Sequence, residues 1–277
     1  MNADLDRAFG CQGGEDCAWL SPTVQPTLKP GTVHLWRADL QASPEELHCW
    51  QQTLSVDEQQ RMSRLVMEQG RQRFVAGRGI LRAILGRYLG KAPASLEFIY
   101  SEQGKPTLVQ TNGVGQRLHF NLSHSGDLGL YALTWDSPLG VDVERARSHR
   151  DVLKLAQRFF QPAETAAIAA LPLAQQPLQF VRYWTAKEAY LKATGQGLMG
   201  LSEVEVDWSE GESPQLRLHG QSSDNSTNWW LKPLDLEADC AAAIVVAGGH
   251  KLLTCWQWPA EKHSTETGGL LERDGKW

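Results

Sequence analysis

The stretch LGVDVE, Leu139–Glu144, alternates apolar and acidic residues with the period of two that is typical of a β-strand. Successive side chains of a strand point to opposite faces, so we expect Val141 and Val143 on one face and Asp142 and Glu144 on the other. Two carboxylates that share a face raise one another's pKa unless a cation lies between them. Taken alone, such a pair is most often solvated surface charge.

The patterns on the two sides of this stretch follow the same order. After it come predicted helices at 151–159, 163–171 and 176–193, and then strands at EVEVDW, QLRLHG, WWLKPL and CAAAIVVAG. Before it come a strand at TVHLWRA, helices at 45–54, 57–67 and 71–89, and strands at LEFIY, RLHFNLS and LGLYALTW. This repeated order predicts an α+β protein, a pseudo-twofold duplication of one subdomain with the active site in the cleft between two lobes.

The two ends of the chain lack periodic apolar residues. Residues 1–30 are rich in Gly, Pro and polar residues, and residues 259–277 are charged and contain Gly. A chain of 277 residues is long enough for one large domain or two half-size lobes. With the repeat, we predict a flexible tail at 1–30, an N-terminal lobe at 31–137, a C-terminal lobe at 138–258 and a second tail at 259–277.

The segment FVRYWTAKEAYLKATGQGL, residues 180–198, has apolar residues at helical spacing, which places Glu188 and Lys192 one turn apart. An exposed pair at that spacing is usually only a helix-stabilising ion pair worth roughly 0.3–0.5 kcal/mol. If the helix faces the Asp142 strand, Glu188 becomes a third oxygen ligand for a hard ion such as Mg²⁺. Lys192 then becomes a cation above a bound phosphate. The following GQGLMG matches a dinucleotide-binding pattern but follows a helix, so we interpret it as a helix stop.

Polar residues that suit phosphate binding occur in the first predicted lobe. FNLSHSG, residues 120–126, leaves a strand with hydroxyls and the imidazole of His124 close together, although an ordinary turn histidine is an equal alternative. Sequence spacing alone does not define a Ser-His-Asp triad. Lys105 lies in a predicted turn, and Arg61 and Arg73 lie on predicted helices. Singly these are typical solvated charges, and together they are a candidate basic surface.

Composition narrows the function classes. The net charge of −5 and the pI of about 5.9 give no electrostatic footprint for nucleic acid. No apolar run approaches the roughly 20 residues that span a bilayer, and the N-terminus has no signal-peptide pattern, so we expect a cytoplasmic protein without membrane contact. The five cysteines lack CxxC spacing and are expected to be reduced.

These motifs resemble the Sfp-type 4′-phosphopantetheinyl transferase family over roughly residues 32–248. GVDVE is similar to the family's first signature, and WTAKEAYLKATGQGL is similar to its second, W-x-x-K-E-[AS]-x-x-K-x-x-G-x-G-L. FNLSHSG, GKP and Arg158-Phe159-Phe160 before Glu164 resemble further motifs in the same order. The resemblance implies Mg²⁺ ligands Asp142, Glu144 and Glu188; catalytic residues Glu188, Lys192 and Lys187; and coenzyme A contacts Arg61, Gln103, Gly104, Lys105, Asn121, Ser123, His124 and Lys192. A basic residue seen in some members corresponds to Glu58 here, which is a departure in the 3′-phosphate contacts.

The resemblance implies an enzyme that transfers the 4′-phosphopantetheine of coenzyme A to a serine of an acyl or peptidyl carrier protein and releases 3′,5′-ADP. Mg²⁺, or alternatively Mn²⁺, would be the metal, the enzyme would be a monomer, and the segment 159–180 would be the candidate carrier surface. From the residues alone, a metal-dependent nuclease or phosphohydrolase fits the same carboxylates and lysine. A non-catalytic binding module, in which the carboxylates are structural, is the third alternative.

Overall fold

The computed structural model describes residues 18–22, 26–109, 117–135, 137–146, 151–208, 214–219 and 228–258. The first half contains the strands β1 (Trp19–Leu20), β2 (Thr32–Asp39), β3 (Phe98–Tyr100), β4 (Pro106–Leu108), β5 (Leu118–Ser125) and β6 (Leu128–Trp135), and the helices α1 (Pro44–Gln51), α2 (Val56–Ser63) and α3 (Glu68–Leu89). The second half contains β7 (Leu139–Arg145), β8 (Val204–Asp207), β9 (Gln215–Leu218), β10 (Trp229–Asp235), β11 (Cys240–Ala247) and β12 (Leu252–Gln257), with α4 (Val152–Phe159), α5 (Pro162–Ala169) and α6 (Gln176–Thr194).

The two halves repeat one pattern of strand pairing. In the first, β2 pairs antiparallel with β6, and β6 pairs antiparallel with β5. In the second, β7 pairs antiparallel with β11, and β11 pairs antiparallel with β10. Each half also has a small antiparallel hairpin, β3–β4 or β8–β9. The predicted α+β fold with a duplicated subdomain is confirmed.

Two predicted boundaries are wrong. The described part of 1–30 is not all tail, because β1 pairs parallel with β12 and Leu28 is buried in the first core. The C-terminal lobe does not keep all of 138–258, because β12 lies between β1 and β2 in a five-stranded sheet of order β1-β12-β2-β6-β5. β12 is amphipathic and short, so its own residues do not indicate which sheet it joins. Residues 1–17 and 259–277 lie outside the described residues.

Each half has one long helix with a glycine stop. Along α3, Ile80, Leu81, Ile84 and Leu85 are fully buried, because spacings of three and four residues keep them on one helix face. α6 packs in the same way against β7 and β11 of the second half. The helices end at Gly90 and Gly195, whose φ angles of 61° and 78° lie in the left-handed region that favours glycine. The predicted helix stop after residue 194 is confirmed.

The structure bears on two predictions, that the cysteines are reduced and that no segment spans a membrane. Cys49 and Cys240 are free thiols, but Cys255 is disulfide-bonded, so the expectation of reduced thiols is wrong there. Among the described residues, the helices are too short or too polar to cross a bilayer.

A buried polar chain links β2 to α3. Nε1 of Trp36 donates to the Tyr88 hydroxyl at 3.0 Å, and that hydroxyl lies 2.7 Å from Nδ1 of His34. Because the indole is only a donor, the hydroxyl hydrogen is left to donate to Nδ1 of a neutral imidazole. Burial lowers the pKa of His34 from 6.5 to about 4, so protonation of this ring is linked to unfolding.

We predict that acid destabilises the protein through His34. The folded pKa lies below the unfolded value, so this contribution to stability is complete above pH 6.5 and is lost as the pH falls toward 4. The free energy of unfolding should fall by about 2 kcal/mol between pH 8 and pH 5. Urea unfolding of wild type and His34→Gln at both values measures this. An equal pH dependence in both proteins would contradict it.

Candidate active site between the two halves

β7 presents its two faces as predicted. Val141 and Val143 are fully buried in a core shared by the two sheets. On the other face, the Ser123 hydroxyl donates to Oδ1 of Asp142 at 2.8 Å, and the Ser125 hydroxyl donates to Oε2 of Glu144 at 3.1 Å. The alternation of β5 therefore matches the alternation of β7 across the junction of the halves. Ser125 was missed from sequence, although its spacing of two from Ser123 is the signal that could have found it.

Asn121 holds β5 against β7. Its side-chain Oδ1 accepts a hydrogen bond from the backbone N–H of Val141 at 2.9 Å, and its side chain is buried. The structure thus brings Asn121, two residues before Ser123 on β5, next to the carboxylate strand β7. The amide oxygen of Asn121 has a backbone hydrogen-bond donor there.

Helix α6 approaches β7 closely because residue 140 is a glycine. A Cβ atom at Gly140 would lie 2.0 Å from the carbonyl oxygen of Ala189 and 2.6 Å from the backbone nitrogen of Ala193. Both neighbours are backbone atoms of α6, so neither can move without moving the helix. The close approach brings Glu188 and Lys192 over the carboxylate strand.

We predict that Gly140→Ala separates α6 from β7. Overpacking against backbone should lower the free energy of unfolding by about 2–3 kcal/mol and should reduce activity in the protein that remains folded. Urea unfolding and an activity assay on the folded fraction measure the two effects. Gly70→Ala on α3 is the control, because a Cβ there meets no atom closer than 4.0 Å and the residue is not in the left-handed region. Wild-type stability and activity in Gly140→Ala would contradict the prediction.

Lys192 is the cation of the cluster. Its Nζ lies 2.6 Å from Oδ1 of Asp142, and it donates to the Ser123 hydroxyl at 2.9 Å and to the carbonyl of Val141 at 3.3 Å. About 29% of the Lys192 side chain is exposed, whereas Asp142 is nearly buried. These three acceptors use the three N–H donors of the ammonium, so in this arrangement Lys192 acts on a ligand that enters from solvent through its charge.

Glu188 has a strongly perturbed carboxyl group. Burial, followed by the charge of Asp142, raises its pKa to about 7; the charge of Lys192 opposes this shift, and Glu144 adds to it. Oε1 of Glu188 and Oδ2 of Asp142 are buried without a hydrogen-bond partner in the structure. A buried carboxylate oxygen without a partner is costly, and a cation would remove that cost.

The carboxylates suit a hard divalent ion in donor type, since they supply only oxygen. Lys192, however, pairs with Oδ1 of Asp142. Within the described residues, no three His, Cys, Asp or Glu side chains converge closely enough to surround a metal ion. The unpartnered oxygens of Asp142 and Glu188 are the observation that fits a metal. The geometry of a complete three-carboxylate site is not formed.

His124 lies beside this cluster at the exposed end of β5. Partial desolvation and the nearby charges of Lys192 and Arg73 lower its pKa, while Asp142 opposes the shift. The imidazole is therefore largely neutral at pH 7 and carries one N–H donor. Arg73 itself pairs with Asp127 at 2.6 Å in the turn that follows β5.

The other predicted coenzyme A residues form two groups. Gln103, Gly104 and Lys105 lie in the β3–β4 turn, with Gly104 at φ 82°, and the ammonium of Lys105 contacts the end of α6. Arg61 of α2 stacks its guanidinium 3.6 Å from the centre of the Tyr100 ring. Both groups come from the first half.

Glu58 does not present its charge at the surface. Its carboxylate is fully buried against Arg82 at 2.6 Å, and Arg78 lies 3.9 Å away. Nη1 of Arg78 is buried without a partner in the structure. Glu58 therefore neutralises a buried arginine within the first half.

Lys187 points into the second half and away from the Asp142 cluster. Its side chain is fully buried, with Nζ 2.5 Å from Oε2 of Glu164 and 3.3 Å from the carbonyl of Leu201. Glu164 also accepts hydrogen bonds from the backbone N–H groups of Gln161 and Val206. The structure thus joins α5, α6 and β8 through this pair and does not bring Lys187 together with Glu188.

A groove lined by two charged and several apolar residues begins at Glu144 and runs between α4 and α6. It has a volume of about 180 Å³, and aromatic side chains form much of its wall. Phe160 stacks on Phe180, and Phe180 stacks on Trp184, which makes the wall rigid. The groove lining is Glu144, Arg145, Val152, Leu155, Phe159, Pro177, Phe180, Val181 and Trp184.

Comparisons with known proteins show which family the chain resembles. Residues 138–245 match the family model described as the 4′-phosphopantetheinyl transferase superfamily, and residues 38–135 match the model described as 4′-phosphopantetheinyl transferase, N-terminal. The chain is 41% identical to 4′-phosphopantetheinyl transferase HetI of Nostoc sp., over 83% of this chain and 94% of HetI. It is 35% identical to putative 4′-phosphopantetheinyl transferase slr0495 of Synechocystis sp., over 80% of each chain. It is 27% identical to 4′-phosphopantetheinyl transferase Sfp of Bacillus subtilis, over 76% of this chain and 89% of Sfp.

Proposed function

This chain belongs to the 4′-phosphopantetheinyl transferase family, and from that premise we propose how its residues carry out the reaction. The enzyme transfers the 4′-phosphopantetheine moiety of coenzyme A to a carrier protein. In the proposed reaction, a carrier serine hydroxyl attacks the β-phosphate of coenzyme A, an O–P bond forms, and the bond to 3′,5′-ADP breaks. The observation that carries the proposal is the Asp142–Lys192 pair beside Glu188, with two carboxylate oxygens that lack partners.

Asp142, Glu144 and Glu188 would hold Mg²⁺, since they are oxygen donors on two elements that face one another. When bound, the ion would supply charge neutralisation for the pyrophosphate. Oδ2 of Asp142 and Oε1 of Glu188 are the oxygens without a hydrogen-bond partner and would be metal ligands. The Ser125 hydroxyl orients the carboxylate of Glu144. Mn²⁺ has the same oxygen preference and is the alternative ion.

Glu188 would accept the serine proton, directly or through water. A carboxyl whose pKa is raised to about 7 by burial and by the charge of Asp142 is a stronger base than an ordinary glutamate. Lys192 would stabilise negative charge on the leaving phosphate, because its charged side chain is partly exposed at the cleft.

Ser123 would donate to phosphate oxygens, since its hydroxyl contacts Lys192. His124 is the next residue of β5 and feels the charge of Lys192, and its N–H would be a second donor. Gln103 and Gly104 would lie on the adenine side. Arg61 would attract the 3′-phosphate from its place on Tyr100. Asn121 would act by holding β5 on β7.

The groove that begins at Glu144 would receive the carrier protein. It lies within and beside the segment 159–180, its wall is aromatic, and it leads to the carboxylates. Burial of apolar carrier residues there would bring the target serine to the phosphate.

Intact-mass measurement tests the function. The protein, coenzyme A and a panel of purified apo carrier proteins are incubated with Mg²⁺, with Mn²⁺ or with EDTA. We expect a mass increase of one phosphopantetheine on a carrier with either ion and none with EDTA. If every carrier stays unmodified in every condition, the proposed function is contradicted. If transfer is unchanged in EDTA, the metal assignment is contradicted.

We further propose a cytoplasmic monomer. The duplication already brings two halves together around one cleft within a single chain, and coenzyme A is a metabolite of the cell interior. Light scattering on the purified protein should give the mass of one chain, about 30.8 kDa. A stable dimer at micromolar concentration would contradict the monomer.

A further inference from the structure

The turn between β3 and β4 is a rigid feature of the first half. The backbone N–H of Ser101 donates to the carbonyl of Lys105 at 3.0 Å, and the N–H of Gly104 donates to the carbonyl of Ser101 at 2.8 Å. The Ser101 hydroxyl accepts from the N–H of Lys105 at 3.1 Å. Three hydrogen bonds over five residues fix the direction in which the Lys105 side chain leaves the turn.

The Lys105 side chain crosses from this turn to the second half. Its ammonium donates to the backbone carbonyls of Lys192, of Ala193 at 3.3 Å and of Leu139 at 3.4 Å. An ammonium has three N–H donors, so these three carbonyls use its whole hydrogen-bonding capacity. Lys105 therefore joins the first half to both α6 and β7.

The contact is electrostatically matched to the end of a helix. The last carbonyls of α6 have no intrahelical partner, and the helix dipole makes that end negative. Burial, followed by the charge of Lys192, lowers the pKa of Lys105 to about 8, so the ammonium is still mainly charged at pH 7. Gln103 of the same turn lies close to the chain just beyond α6: a Cβ atom added to Gly197 would be 3.2 Å from the Cγ of Gln103.

One of the three acceptors is the carbonyl of Lys192 itself. The Nζ of the same residue pairs with Asp142, and Glu188 lies one turn earlier on α6. A shift of the last turn of α6 would therefore move the cleft lysine directly. Misplacement by about 1 Å can reduce a rate about a hundredfold.

We propose that Lys105 is a positioning residue, which locks the C-terminal turn of α6 to the first half and thereby sets the place of Lys192 and Glu188 in the cleft. The resemblance to the transferase family implies instead that Lys105 contacts coenzyme A. The three carbonyls that surround its ammonium favour the positioning role. This inference rests on the proposed function for its kinetic test and on geometry alone for its second test.

The kinetic test compares Lys105→Met, Lys105→Arg and the control Lys29→Met, which changes an exposed lysine of the first half. We expect Lys105→Met to lower kcat about tenfold or more, with the KM for coenzyme A within about twofold of wild type. Lys105→Arg, which can still donate to carbonyls, should recover most of kcat. A KM that rises with kcat unchanged would make Lys105 a coenzyme A contact and overturn the proposal, as would wild-type kinetics.

Amide hydrogen exchange tests the same contact without any assay of transfer. The N–H groups of Gly195 and Gln196 donate to the carbonyl of Leu191 and report on the last turn of α6. In Lys105→Met these amides should exchange at least about tenfold faster than in wild type or Lys29→Met. If the wild-type protein modifies no carrier, the proposed function fails. The exchange measurement still shows whether Lys105 holds the last turn of α6 in place. If Lys105→Met does not fold, Lys105→Gln replaces it, and unchanged exchange there would overturn the lock.

Discussion

Asp142→Asn is expected to lower kcat/KM for carrier modification by about three orders of magnitude, with the fold retained. The substitution keeps the shape of the side chain but removes the charge that holds Lys192 at 2.6 Å and one of the oxygens available to a metal. The Ser123 hydroxyl also loses a charged acceptor. Three groups of the cleft thus lose their common partner in one change.

Two measurements separate this effect from a loss of structure. Urea unfolding of Asp142→Asn should stay close to wild type, because the charge lost is one of several carboxylates that repel in the cleft. The pKa of Glu188, followed by carboxyl NMR, should fall toward its ordinary value, since Asp142 is one of the charges that raise it. Glu45→Gln, an amide substitution in the exposed first turn of α1, is the matched control. Wild-type transfer by Asp142→Asn would refute the assignment of the cleft as the active site.

Lys187→Met is expected to lower the free energy of unfolding by about 3–5 kcal/mol. The substitution leaves the carboxylate of Glu164 buried without its cation, in a site where both side chains are inaccessible to solvent. Glu164 must stay in place because it also accepts from two backbone N–H groups. Urea unfolding measures the loss.

The double variant Lys187→Met with Glu164→Gln is the control for that explanation. It removes the unpaired charge and keeps an oxygen for one of the two backbone donors, so it should regain part of the lost stability. If Lys187 acted in catalysis, the double variant would be folded and inactive. We expect it to be folded and active, and loss of transfer in a fully folded double variant would return Lys187 to the catalytic residues.

The sequence was sufficient for those features that depend on local periodicity. The alternation in LGVDVE predicts the two faces of β7, and apolar spacing predicts α6, so the sequence alone is enough to group Asp142, Glu188 and Lys192. Glycine at 195 marked the end of α6 because only a left-handed residue fits there. The repeated order of elements predicted the duplication in the same way.

Features that depend on long-range pairing could not be read in advance. Helical spacing gives the face of α6 on which Lys187 lies, but whether that side chain is buried depends on Glu164, which comes from another helix. Glu58 corresponds to a basic residue of some family members, and nothing in the sequence indicates that it is buried, because its partner Arg82 is 24 residues away. The contact of Lys105 with the end of α6 spans 87 residues. None of these distances leaves a periodic signal.

The position of β12 has a consequence for how the protein is made on the ribosome. β12 lies between β1 and β2, and among the described strands it is the last to be synthesised, whereas its two neighbours are the first. During synthesis, the edge of β2 that β12 will cover therefore stays unpaired until residues 252–257 leave the exit tunnel. Truncation of the gene before that point would leave β2 exposed for pairing with other chains.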